Sequence, residues 1–135
     1  MPSASSPPSV LIVDDDPLIR AVLQAALEAH GHRSAAVADP DEPHGLADPD
    51  AVVLDATLPG RSLSESLDLL AHRDDGTPRP ILVVSGALTP PAELAGTGVR
   101  YLAKPIPLAE FVAAVGALTG SGSRDGPREA GYRGI

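Results

Sequence analysis

A chain of 135 residues fits one compact domain, and its 43% hydrophobic content supports a buried core in which only Phe111, Tyr101 and Tyr132 are aromatic. With 10 basic against 18 acidic residues the net charge is −8, so phosphate backbones and anionic bilayers repel the chain, and neither nucleic acid nor membrane is expected as a direct partner. There is no cysteine, which removes disulfide and thiol chemistry, and no apolar run is long enough to span a bilayer. The N-terminus lacks the basic and apolar regions of a secretory signal, so a cytoplasmic protein is expected.

Residues 1–9 are Pro- and Ser-rich and read as a disordered segment. Val10-Leu11-Ile12-Val13 reads as a first strand running into Asp14-Asp15-Asp16. Asp16 suits an N-cap and Pro17 a first helical position. Ile19, Val22, Leu23, Ala26 and Leu27 then fall on one helical face, and Gly31 stops the helix. A second strand covers about 33–37. The segment from Ala38 to Asp50 contains Pro40, Pro43, Gly45 and Pro49, which leaves room for a turn or two of helix at most.

Ala51-Val52-Val53-Leu54 has the unbroken apolar character of a strand buried on both faces, and it ends in Asp55. Ser62-Leu63-Ser64-Glu65 is a capping-box pattern opening a helix with Leu63, Leu67 and Leu70 inward. A fourth strand, about 81–85, ends at Ser85. A fourth helix from Ala92 is cut short by Gly96 and Gly98, and a fifth strand, about 99–103, runs into Lys104-Pro105. Leu108, Phe111, Val112, Val115 and Leu118 place a last helix over about 107–118, before a polar Gly-rich tail at 120–135.

Strands alternating with helices predict a doubly wound five-stranded parallel sheet with helices on both faces, the second and fourth shortened. In such a sheet the C-terminal strand ends share one edge, where ligands bind. That edge would gather carboxylates, the Ser85 hydroxyl and the ammonium of Lys104, the only lysine beside nine arginines. Together they suit a divalent cation and a phosphoryl group. His30, His32, His44 and His72 fall in loops or helix ends and read as solvated side chains.

Val-Leu-Ile-Val-Asp-Asp-Asp-Pro (10–17), Val-Val-Leu-Asp-Ala-Thr-Leu-Pro-Gly (52–60), Val-Val-Ser-Gly (83–86) and Tyr-Leu-Ala-Lys-Pro (101–105), in that order, resemble the receiver domain of two-component response regulators. The resemblance covers 10–119 and implies a flavodoxin-like sheet of order 2-1-3-4-5. It implies that Asp55 accepts a phosphoryl group from a histidine kinase or phosphotransfer protein. Asp14, Asp15, Asp55 and the Thr57 carbonyl would hold Mg²⁺, Ser85 and Lys104 would contact the phosphoryl group, and Tyr101 would be the switch aromatic. It further implies signalling by contact with a downstream protein, and a stand-alone receiver is expected.

The pattern departs from the family in lacking a glycine in Arg61-Ser62-Leu63-Ser64 and in short stretches between Asp15 and Asp55 and between Ser85 and Lys104. Three other readings compete. An isolated Asp14–Asp16 triplet would be a helix N-terminal charge cluster. A phosphohydrolase with Asp55 as nucleophile needs an acid two residues on, where Thr57 stands. A binding module independent of phosphorylation would fit the trimmed helices. A nucleotide-binding role lacks a Gly-rich turn after the first strand.

Overall fold

The computed structural model describes residues 7–87 and 89–120; the N-terminal segment to residue 6 and the tail from 121 lie outside the described residues. Five strands, β1 (Ser9–Val13), β2 (Arg33–Val37), β3 (Ala51–Asp55), β4 (Ile81–Ser85) and β5 (Arg100–Ala103), form one parallel sheet of order β2-β1-β3-β4-β5. The helices are α1 (Pro17–Ala29), α2 (Leu63–Leu70) and α3 (Leu108–Thr119). Every residue of β1, β3 and β4 is buried, which is why Val10–Val13, Ala51–Leu54 and Ile81–Val84 are apolar without a break rather than alternating.

Alternation survives in where those side chains point. Val10, Ile12, Val53, Leu82 and Val84 pack with Leu23 and Leu27 of α1 and with Phe111 and Val115 of α3. Leu11, Val13, Val52, Leu54, Ile81 and Val83 face the other way, onto Leu58, Leu63, Leu70 and Leu94. The sheet is therefore covered on both sides, and a fully buried side chain such as Phe111 contributes about 1.5–3 kcal/mol.

Local chemistry sets the helix starts as the sequence predicts. Asp16 caps α1, its Oδ1 accepting from the Leu18 and Ile19 amides at 2.9 and 3.4 Å. The capping box of α2 is present in both directions, with the Glu65 amide donating to Ser62 Oγ at 3.1 Å and the Ser62 amide donating to Glu65 Oε1 at 2.8 Å.

Several expectations need correcting. The second helix is absent rather than short: no helical residue occurs between Val37 and Ala51, because the prolines remove amide donors along the whole stretch. The fourth is a single 3₁₀ turn, Ala92–Leu94, ended before Gly96 and Gly98, whose φ values are +76° and +77°. β1 begins one residue early, at Ser9, whose amide donates to Asp50 Oδ2 at 2.8 Å. Val22 and Leu108, placed on buried faces by their spacing, are 42% and 43% exposed. His32 is buried rather than solvated, with Nε2 3.4 Å from Thr119 Oγ1.

The helix-free crossover from β2 to β3 is held instead by Leu46 against the core and by arginines at both ends. Arg61 grips Asp39 and Asp41 near its start; Arg73 and Arg79 pair with Asp50 and Asp48 near its finish. Among the described residues no helix is long and apolar enough to cross a membrane.

Candidate functional site

Register brings the acids together. β1 and β3 run in step, Val13 beside Leu54, so the next residue of each, Asp14 and Asp55, emerges at the same level of the sheet's C-terminal edge. Asp14 is 1% and Asp55 3% exposed, while Asp15 lies open to solvent. Carboxylate oxygens of Asp14, Asp15 and Asp55 lie within 4.8 Å of one another. Asp16 takes no part; its carboxylate is turned to the α1 amides. Asp14 is further fixed by the Asp16 amide, which donates to its Oδ1 at 2.9 Å, and Arg20 Nη1 donates to its carbonyl at 2.8 Å.

Lys104 enters from the end of β5. Its Nζ lies 3.0 Å from Asp14 Oδ2 and 3.4 Å from Asp55 Oδ2, so one ammonium bridges both buried acids. Its own amide donates to the Ser85 carbonyl at 2.7 Å, which ties the β5 and β4 ends together. The Lys104–Pro105 peptide bond is cis.

The remaining predicted residues lie around this centre. The Thr57 amide and hydroxyl both donate to Asp55 Oδ1, at 3.0 and 3.1 Å. Buried Ser85 ends β4 one residue beyond Val84, the β4 neighbour of Asp55, and its Oγ accepts from the Ala87 amide at 3.1 Å. The Tyr101 hydroxyl donates to the Ala87 carbonyl, so the half-buried ring is latched to the loop that leaves Ser85.

Burial pushes the Asp55 carboxyl above the usual carboxylate range; the neighbouring Asp14 charge adds to this, while Thr57 and Lys104 oppose it. Burial alone would lower the Lys104 ammonium, but the Asp14 and Asp55 carboxylates outweigh it, and the net direction is upward. Three acids against one lysine leave the cluster two charges negative when ionised. Buried like charges of this kind are costly without a cation. The donor set is all oxygen, hard and anionic, which is what Mg²⁺ takes, with one or two carboxylates from the protein and the rest from water and phosphate. The residues present therefore fit a divalent cation, with Asp14, Asp15 and Asp55 the side chains able to hold it.

Reading by local spacing passed over Arg61. Its partners lie 20 and 22 residues away, and no periodicity links them.

A family model for the response regulator receiver domain matches residues 10–116. The chain belongs to that family. Among curated proteins, it is 40% identical over 124 residues to the transcriptional regulatory protein TcrA of Mycobacterium tuberculosis, covering 87% of this chain and 47% of that protein. It is 30% identical over 132 residues to the phosphate regulon transcriptional regulatory protein PhoB of Pseudomonas aeruginosa, covering 91% and 58%. This receiver chain thus spans about half the length of the curated relatives it matches. A putative response regulator from Chloroflexus aurantiacus superimposes with TM-score 0.72 at 28% identity, covering 85% of this chain and 99% of that one. The receiver domain of a sensor histidine kinase from Pseudomonas aeruginosa, solved with a magnesium ion coordinated in its active site cleft, superimposes with TM-score 0.62 at 24% identity over 87% and 100%.

Proposed function

We propose that this receiver is switched by a phosphoryl group on Asp55, delivered by a histidine kinase or phosphotransfer protein with Mg²⁺ held by Asp14, Asp15, Asp55 and the Thr57 carbonyl. The observation that carries the reading is Lys104 Nζ standing between Asp14 and Asp55, with Asp15 beside them. In the transfer a carboxylate oxygen of Asp55 bonds to phosphorus as the donor's P–N or P–O bond breaks, and the departing group takes up a proton. Bound Mg²⁺ would neutralise charge on the phosphoryl oxygens. Lys104 serves the same oxygens as a compact point charge, which suits them better than the fixed fork of arginine. The Thr57 amide and hydroxyl keep Asp55 Oδ1 oriented, and this leaves Oδ2 on the Lys104 side as the oxygen to be phosphorylated. Ser85 and Tyr101 complete the device. A phosphoryl oxygen can draw the Ser85 hydroxyl away from the Ala87 amide, and the loop that latches Tyr101 shifts with it, biasing a two-state equilibrium.

The curated relatives bear transcriptional names, and this supports an output in gene control. With a net charge of −8 this stretch is itself repelled by DNA, so that output runs through protein contact. Incubation with a small-molecule phosphodonor and Mg²⁺ adds the mass of one phosphoryl group to the wild-type chain and none to Asp55→Asn. An unmodified wild type, or an equally modified variant, refutes the assignment.

A further inference from the structure

The strongest unassigned feature is the arginine beside the acceptor loop. Segment 56–62 joins Asp55 to the N-cap of α2 and carries Thr57, whose carbonyl the proposed function assigns to the metal. Its anchors are the Ala56 amide on the Val84 carbonyl at 2.9 Å, the Thr57 amide and hydroxyl on Asp55 Oδ1 at 3.0 and 3.1 Å, Leu58 in the core, and Ser62 in its capping box. Between them Thr57, Pro59 and Gly60 are exposed, and Gly60 sits at φ +74°. Arg61 adds a restraint of another kind, from this loop to the turn at Asp39 and Asp41. Its Nε and Nη2 donate to Asp39 Oδ1 and Oδ2 at 3.1 and 3.0 Å, and Nη2 also donates to Asp41 Oδ2 at 2.8 Å.

Those partners are themselves fixed at the pocket's edge. Asp39 lies two residues beyond Val37, whose carbonyl accepts the Asp14 amide at 3.0 Å. Asp39 Oδ2 accepts from the Asp41 amide at 2.9 Å, and the Glu42 amide donates to the Asp39 carbonyl at 3.1 Å, closing a tight turn. A lone exposed ion pair contributes little, but a two-pronged guanidinium–carboxylate contact within a network fixes geometry. In this chain no helix between β2 and β3 braces that edge, and the acceptor loop has no other side-chain tie to it among the interactions described.

We infer that Arg61 is a positioning residue: by clamping Asp39 and Asp41 it holds segment 56–62, and with it the Thr57 carbonyl, in place for the metal. The inference rests on the Mg²⁺ reading of the acid pocket. It makes a prediction whose sign separates it from simple charge. Arg61→Ala removes a cation and leaves Asp39 and Asp41 uncompensated, so by Coulomb attraction alone Mg²⁺ would bind more tightly. Loss of the clamp weakens binding, by about tenfold, the lower end of the effect of removing a group that orients a metal ligand.

The test uses the full chain as wild type, Arg61→Ala and Arg61→Lys. In Mg²⁺-free protein, amide hydrogen exchange speeds up at residues 57–61 in Arg61→Ala and stays at the wild-type rate in β1, β3 and β4. Mg²⁺ titration gives the tenfold loss, and Arg61→Lys, which keeps the charge without the fork, recovers only part of it. Unchanged or tighter Mg²⁺ binding by Arg61→Ala, full recovery by Arg61→Lys, or exchange that rises uniformly across the sheet each overturns the clamp. A wild type that neither binds Mg²⁺ nor gains phosphate overturns the receiver chemistry, and the inference with it. Wild type that does both, beside an indistinguishable Arg61→Ala, overturns the clamp alone.

Discussion

Asp14 and Asp55 are the least exposed ionisable side chains among the described residues, and Lys104 is what makes their burial tolerable. Removing that ammonium leaves two carboxylates to repel each other in a poorly solvated space. Lys104→Ala is expected to lose about 1–3 kcal/mol of stability without metal, less than for a fully buried pair because the lysine side chain is 21% exposed. Under the proposed function Mg²⁺ replaces the missing charge, so the wild-type and Lys104→Ala denaturation curves should converge when it is added; a loss that Mg²⁺ does not reduce contradicts the shared-site account. The raised Asp55 carboxyl gives a pH dependence of definite sign. Above the ordinary carboxylate range the folded chain binds more protons at this site than the unfolded chain does, so rising pH destabilises the metal-free protein through that window. Asp55→Asn lacks the effect. Its stability relative to the wild type therefore rises as pH increases above about 4, the ordinary carboxylate value, and melting curves showing a constant difference refute this.

At the scale of elements, the sequence is most legible where one local cause decides the outcome. β1, β3 and β4 are visible as unbroken apolar runs because both faces are covered, and α1 and α2 begin where Asp16 and the Ser62–Glu65 pair satisfy free amides. Asp14, Asp15, Asp55 and Lys104 were readable as one site because each stands at or just past the end of a strand, and a parallel sheet puts those endings on one edge. Legibility fails where distant partners decide. Prolines in 38–50 forecast a weak helix, but nothing local says that Arg61, Arg73 and Arg79 replace it altogether. Val22 and Leu108 satisfy a helical period yet remain exposed, since spacing identifies a face but not how far the neighbouring element extends over it. His32 is buried where residues far along the chain meet, near Thr119, a relation no window of sequence contains.

For the molecule as a whole, the order β2-β1-β3-β4-β5 sets the acids of the two inner strands side by side and brings the lysine across from the outer one. The connection from β4 to β5 holds only a 3₁₀ turn, with Tyr101 latched to the loop that leaves Ser85. Under the proposed function, phosphorylation at one edge would be linked through the Ser85–Ala87 and Tyr101–Ala87 hydrogen bonds to the outer strand β5. A crystal structure with Mg²⁺ and an unreactive phosphoryl mimic examines that arrangement most directly. The account predicts the ion on Asp14, Asp15, Asp55 and the Thr57 carbonyl, and the mimic on Asp55 within hydrogen-bond reach of Lys104 Nζ and Ser85 Oγ. An ion held elsewhere, or a mimic absent from Asp55 at saturating concentration, would contradict it.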